Sequence, residues 1–299
     1  MKLYFTIFTL LLVNFTFAQS NIEVPTFETV QVDSNPYDYI TIVVDTNGAI
    51  ALEGEKIELN ALRGKVFELL YDGIKNNSGL NPLFFTELVA DKDMPYTKLA
   101  PVLNELRSMA AYLVNFSCKS ETHQRIPRRK TTGFSYKLQR DKNAKSVLEA
   151  VFDKVEAEKK KTEPTNTDEI SMLPPPPPPP SLQEYSREFL EKNSKTMVSK
   201  IIVINHESFT IDNQEMSESQ LVEKFLLWNS KKKVAYILEP SKNATYKDVI
   251  TPIAQLLTVL KTLRNEESIR LYDKKYDKLR YNNRNKVRDK FPFIIVFDE

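Results

Sequence analysis

Residues 94–107 read MPYTKLAPVLNELR, and residues 244–264 read ATYKDVITPIAQLLTVLKTLR. Each segment has a tyrosine near its start, Tyr96 or Tyr246, and then apolar residues at steps of three and four. These are Leu99, Leu103, Leu106 and Ala110 in the first, and Val249, Ile253, Leu256, Leu260 and Leu263 in the second. That spacing lines one face of an α-helix. Each helix follows a strand-like run, PLFFTELVA (82–90) or KVAYILE (233–239). A chain that writes this strand–helix unit twice is constrained to fold as two like halves, and internal duplication accounts for it better than two unrelated helices do.

The neighbouring sequence extends the match. YITIVVD (39–45) is β-branched and strand-like, and Asn47-Gly48 after it is a two-residue hairpin signal that predicts a type I′ turn. Leu59, Leu62, Val66, Leu70 and Ile74 then predict a helix over about Asn60 to Asn76. The run AYLVNF (111–116) closes the first half as a strand. In the second half KIIVIN (200–205) and Ser208 to Ile211 pair as strands. Ser217 and Gln220 make a capping box before the helix carrying Leu221, Phe225 and Trp228, and FIIVFD (293–298) closes the half. The expected fold class is α+β: two repeated β-β-α-β-α-β modules, over 37–118 and 200–299, each one sheet with two helices on one face.

Residues 119–199 read as a helical and proline-rich linker. They contain a basic run (125–130), a helix-forming stretch (143–161) with Val147, Val151 and Val155 four apart, and seven consecutive prolines, Pro174 to Pro180. The proline run has the composition of a stiff polyproline II spacer, and of a ligand for aromatic grooves. A second short helix is expected over Leu182 to Lys195.

Lys2, an apolar run and the small residues Thr16 and Ala18 fit a signal peptide over 1–18 with cleavage after Ala18. The run from Leu3 to Ala18 is shorter than the roughly 20 residues of a bilayer span. Two readings stand: an exported, periplasmic protein, or one anchored in the inner membrane by residues 3–18. Composition argues for no particular partner, since the net charge is +2. Cys118 is the only cysteine, so no intramolecular disulfide can form. With two histidines, His123 and His206, in different halves, the chain offers little to a transition metal. No Gly-rich phosphate loop, HExxH or GxSxG motif occurs, and no cofactor is expected.

The order of elements, entered through Ile22-Glu23-Val24-Pro25, resembles the periplasmic domain of the ExbD/TolR family. The residues that carry the resemblance are YITIVVDTNGAIALEGEKI (39–57) and TELVADKDMPYTKLAPVLNELR (86–107), with Asp91 at the strand end. In the second half they are YILEPSKNATYKDVITPIAQLL (236–257), with Glu239-Pro240 set against Ala90-Asp91. The resemblance implies membrane-anchored partners of proton-driven envelope motors, dimerisation through this domain, and a non-enzymatic role in energised transport or envelope integrity. It also implies a transmembrane helix with an essential aspartate, but residues 1–18 contain neither Asp nor Glu. Two tethered modules would meet as an intramolecular pseudo-dimer, the alternative being a homodimer.

Two sets of residues are candidates for binding. Tyr96, Tyr246, Asp91 and Glu239 are candidates for contact with protein partners such as motor or transporter subunits, against a plain role in core packing and loop capping. The insertion 270–290 (RLYDKKYDKLRYNNRNKVRDK) holds nine Lys and Arg against three Asp. Within it Lys274, Lys275, Arg280 and Arg284 are candidates for an anionic surface. A periplasmic adaptor gripping cell wall or lipid through this insertion is the alternative function; nucleic acid is not expected of an exported protein.

Overall fold

The computed structural model describes residues 22–27, 39–75, 85–109, 113–120, 132–139, 145–162 and 184–298. The expected signal peptide or anchor, the basic run 125–130 and the prolines 174–180 lie outside the described residues. Among those described, seven α-helices and two β-sheets make a mixed α+β fold.

The first sheet contains β1 (Thr26–Phe27), β2 (Tyr39–Val44), β3 (Ile50–Leu52), β4 (Glu55–Ile57), β5 (Phe85–Ala90), β6 (Leu113–Ser120) and β7 (Thr132–Lys137). Its path runs β4-β3-β2-β5-β6, and β1 and β7 both pair with β6. Strands β2, β5 and β6 are parallel, with Ile42 beside Leu88 and Leu88 beside Phe116. Helix α1 (Leu62–Lys75) crosses from β4 towards β5, and α2 (Tyr96–Ser108) from β5 towards β6.

The second sheet contains β8 (Val198–Ile204), β9 (Phe209–Ile211), β10 (Gln214–Met216), β11 (Val234–Pro240) and β12 (Ile295–Phe297), in the path β10-β9-β8-β11-β12. Again the first three strands form an antiparallel meander and the last three are parallel. Helix α5 (Glu218–Lys231) carries the capping box at Ser217 and Gln220, and α6 (Tyr246–Tyr272) has its own, at Thr245 and Asp248. In strand order and sense the path from β4 to β6 coincides with that from β10 to β12.

The turns differ from the sequence expectation, for a local reason. At Asn47-Gly48 only Gly48 has positive φ. The Asp45 carboxylate accepts the amides of Asn47 and Ala49 and holds a wider loop, so a type I′ turn does not form there. Two-residue turns with both φ values positive occur instead at Glu53-Gly54 and Asp212-Asn213. Each adds a third short strand, so the observed order in each half is β-β-β-α-β-α-β.

Part of the stretch expected to be a linker belongs to the fold. Strand β7 pairs with β6 from Cys118↔Thr132 to Leu113↔Lys137. Gly133 is required there: a Cβ would stand 2.2 Å from the carbonyl oxygen of Phe116. Helix α3 (Val147–Thr162) buries Val147 and Val151 in the core and lies against α1, where the Tyr71 hydroxyl donates to Glu158 (2.5 Å). Helix α4 (Arg187–Asn193) covers the second sheet on the face away from α5 and α6, packing Leu190 on Ala235, Ile237 and Val296. The second sheet therefore has helices on both faces.

One continuous apolar cluster runs through both halves. It joins Ile42, Leu88 and Phe116 of the first sheet, together with Val66 and Leu70 of α1 and Leu99 and Leu103 of α2, to Ile202, Leu238, Val249, Ile253 and Leu260 of the second half. Cys118 lies in it, and burial pushes its thiol up to about 12.

Beyond the sheet α6 continues, and α7 (Tyr281–Lys290) returns along it. Glu267 receives Arg270 (2.7 Å) and Lys290 (2.8 Å), and these bonds hold its carboxyl at about 2, below its ordinary value of 4.5. A carboxylate depressed in the folded state stabilises above its ordinary range, and this contribution is lost as pH falls through the folded-state value. Acid denaturation should therefore show a limb between pH 4.5 and about 2 that Glu267→Gln flattens, measured by circular dichroism across the pH series.

Candidate functional site

The two halves meet where their equivalent helices begin. The first N–H groups of any helix have no partner within it. Here each half supplies the other's. The Tyr96 amide donates to the carbonyl of Ala244 (2.8 Å), and the Tyr246 amide donates to the carbonyl of Met94 (2.8 Å). Pro95 and Thr245 face each other as an antiparallel bridge. The Lys247 amide adds a bond to the Lys92 carbonyl (3.0 Å).

Matching turns present these groups. Met94 donates its amide to the Asp91 carbonyl, and Ala244 donates its amide to that of Ser241. The register sets Ile42 beside Leu88 and Ile202 beside Leu238. Counting on from these pairs, Ser241 stands at the place of Asp91 and Pro240 at that of Ala90. The sequence comparison of Glu239-Pro240 with Ala90-Asp91 is thus out by one position.

The tyrosine side chains carry the contact inward. Tyr246 is fully buried; its hydroxyl donates to the Ser117 carbonyl of β6 (3.2 Å), and its ring lies 6.4 Å from that of Phe116. Burial pushes this phenol well above its ordinary range. Tyr96 is also buried. Both side chains are buried and leave little surface for a further protein.

Asp91 is buried and structural: its carboxylate accepts the amides of Glu23 (3.1 Å) and Asp93 (3.0 Å). Through Glu23 it fastens the segment entering β1, and Lys92 adds a salt bridge to the same Glu23 (3.0 Å). Glu239 lies elsewhere, on β11, 3.7 Å from Arg187 of α4. Lys274, Lys275, Arg280 and Arg284 belong to the far end of α6 and its return, remote from the junction.

Sequence reasoning missed the second fastening. The Glu184 amide donates to the Lys137 carbonyl of β7, and the Tyr185 amide donates to the Ile295 carbonyl of β12 (both 2.8 Å). Two residues thus bridge the two sheets. The Glu184 carboxylate is buried and receives Arg107 of α2 through Nη2 (2.9 Å) and Nε (3.3 Å), together with the Gln139 amide (2.7 Å). Two oxygens meeting three donors satisfy the charge well. No sequence signal links positions 107 and 184.

His206 Nδ1 lies 3.2 Å from Asp248, but that carboxylate is occupied in capping, accepting the amides of Thr245 and Glu207 and the Thr245 hydroxyl. His123 lies outside the described residues. Among the described residues no group of three or more His, Cys, Asp or Glu is placed to hold a metal ion, and no helix is long and apolar enough to cross a membrane.

Residues 3–121 match the family model described as biopolymer transport protein ExbD/TolR. No curated protein and no solved structure matches the chain.

Removing one partner of a buried ion pair strands the other. Arg107→Leu should therefore cost about 3–5 kcal/mol in denaturant unfolding, whereas Tyr246→Phe, which loses one buried hydrogen bond, should cost about 1 kcal/mol.

Proposed function

We propose that this chain, which belongs to the ExbD/TolR family through residues 3–121, is a fused pseudo-dimer of two such modules. It acts by binding protein partners as a non-enzymatic accessory to energised transport or envelope integrity. The observation that carries this reading is the reciprocal pairing of Met94 and Tyr96 with Ala244 and Tyr246. Each half gives the same two backbone groups and receives the same two, as symmetric dimers do at a two-fold axis. The coincident strand paths support it independently. A non-covalent dimer loses translational and rotational freedom on forming. In a tethered pair the second module is present at an effective concentration near millimolar, so the paired state persists at any dilution of the protein.

The modules lie on the periplasmic side of the envelope, with residues 3–18 either removed on export or kept as an anchor. The family match takes in those residues, which favours the anchor. The family's intramembrane aspartate has no counterpart in 1–18. No proton relay is assigned to residues 1–18, and the folded modules are what this reading rests on.

Two measurements test the reading. A protease site placed within 163–183 allows the chain to be cut between the halves. The fragments should elute together at the size of the uncut protein, and fragments that separate without denaturant would refute the pseudo-dimer. Affinity purification from detergent-solubilised envelopes should retain the proton-channel subunits of an envelope motor. Retention of wall polymer or lipid without such subunits would contradict the transport role.

A further inference from the structure

Strand β8 pairs with β11 along its whole length, Val198 to Ile204, but with β9 only at Val203 and Ile204. Past Ile211 the chain turns at Asp212-Asn213 and returns as β10. Among the described residues nothing pairs with the outer edge of β8 from Val198 to Ile202. Three bonds fix the direction of its backbone groups. The Val198 amide donates to the Lys233 carbonyl (3.0 Å) and the Ser241 amide donates to the Ile204 carbonyl (2.8 Å), so even-numbered residues face β11. The Asn205 amide donates to the Ser208 carbonyl (2.9 Å), so odd-numbered residues face the other way. Alternation leaves the amides and carbonyls of Ser199 and Ile201 on the open edge. Ser199 is exposed, and two large apolar side chains beside it are exposed as well, Val198 (37%) and Ile201 (46%).

The first half closes the same edge. Counting from the pairs Val43–Ala51 and Val203–Thr210, Thr41 corresponds to Ile201 and the turn residue Glu53 to Asp212. The Glu53 amide donates to the Thr41 carbonyl (2.9 Å), and the Glu53 carboxylate accepts the Thr41 amide. Asp212 is one methylene shorter, and its carboxylate receives Lys200 (2.6 Å). Among the described residues neither bond to Ile201 is made. An open strand edge with exposed β-branched side chains is a template for a further strand, and proteins ordinarily cover or charge it.

We propose that this edge docks an extended apolar segment of a partner protein, which adds to the second sheet as a strand beside β8. Its backbone pairs with Ser199 and Ile201. Its side chains alternate between the two faces of the sheet. On one face they meet Ile201, whose neighbour on β11 is Ile237, packed on Leu190. On the other they meet Val198 and the stem of Lys200, whose Nζ lies 5.2 Å from the centre of the Trp228 ring. Apolar side chains suit both faces. A second copy of this chain fits less well. The two-fold pairing that uses both outward residues of each β8 sets Lys200 directly opposite Lys200, and like charges there destabilise. The proposal deepens the protein-binding reading above by naming where a partner docks; the pairing at Tyr96 and Tyr246 does not depend on it.

The test presents the full-length chain with a displayed library of short peptides carrying Val, Ile or Thr at alternate positions. The best binder is remade as a fluorescent peptide and titrated by anisotropy. Methylating its alternate backbone nitrogens should weaken binding about tenfold in one phase of the alternation and little in the other. Ser199→Pro removes only an outward amide, a place where a strand edge tolerates proline. It should weaken binding about tenfold with circular dichroism unchanged. Ile201→Thr, which copies the first half, should weaken it severalfold. A library that yields no binder, or binding indifferent to N-methylation, to Ser199→Pro or to Ile201→Thr, would each overturn the proposal. So would dimerisation of the chain that Ser199→Pro abolishes, since the occupant would then be a second copy. Any of these results, with the cut halves still eluting together, would leave the pseudo-dimer standing.

Discussion

The first unpaired amide of one helix bonds to the turn before its counterpart in the other half, and the reverse bond is also made. Most of what distinguishes this structure depends on that exchange. It fixes the halves at a single relative orientation, because two parallel bonds and an antiparallel bridge leave no freedom to slide. It brings Tyr246 under β6, where its hydroxyl finds the Ser117 carbonyl. It also makes the two cores one, since residues of both sheets lie in a single apolar cluster. The bridge at Glu184 and Tyr185 acts at a second point, tying β7 to β12, and Arg107 neutralises the carboxylate this buries.

In the proposed pseudo-dimer, fusion would free the halves to differ. In a homodimer every surface occurs twice, so a change on one face is a change on both. Here Glu87, Asn115 and Ser135 lie side by side across β5, β6 and β7 on the first sheet. The corresponding second-sheet positions, Ile237 and Val296, are apolar and carry Leu190 of α4. Among the described residues, β7 and α3 belong to the first half, and the long end of α6 and its basic return to the second. The pairing at the junction stays symmetric while the outer surfaces diverge.

The sequence was informative where a physical pattern repeats over many residues. The apolar stripes of α2 and α6, the capping box at Ser217 and the strands around Ile42 and Ile237 were legible, because each depends on local periodicity or on a bond three residues away. The third strand of each half was not: three residues carry no period, and the turns that create those strands depend on positive φ at Glu53, Asp212 and Asn213, residues less telling than glycine. Asn47-Gly48 misled because the Asp45 side chain competes for the amides of that turn. Strand β7 was lost in a polar stretch, and only the structure shows why Gly133 must lie against Phe116. The tyrosines were found as a repeated feature, but their burial at the junction is a tertiary fact. The Arg107–Glu184 pair joins groups 77 positions apart and was beyond any local reading.

The central claim is that the turns before α2 and α6 pair with each other. Pro95 and Thr245 occupy the close, non-hydrogen-bonded position of that bridge. Such pairs have Cα atoms about 4.5 Å apart, within the reach of a disulfide. Mild oxidation of the variant Pro95→Cys, Thr245→Cys should give a near-quantitative bond within one chain, seen by mass spectrometry of peptides from the monomer. Free thiols at both positions, or a bond formed only between two chains, would contradict the account.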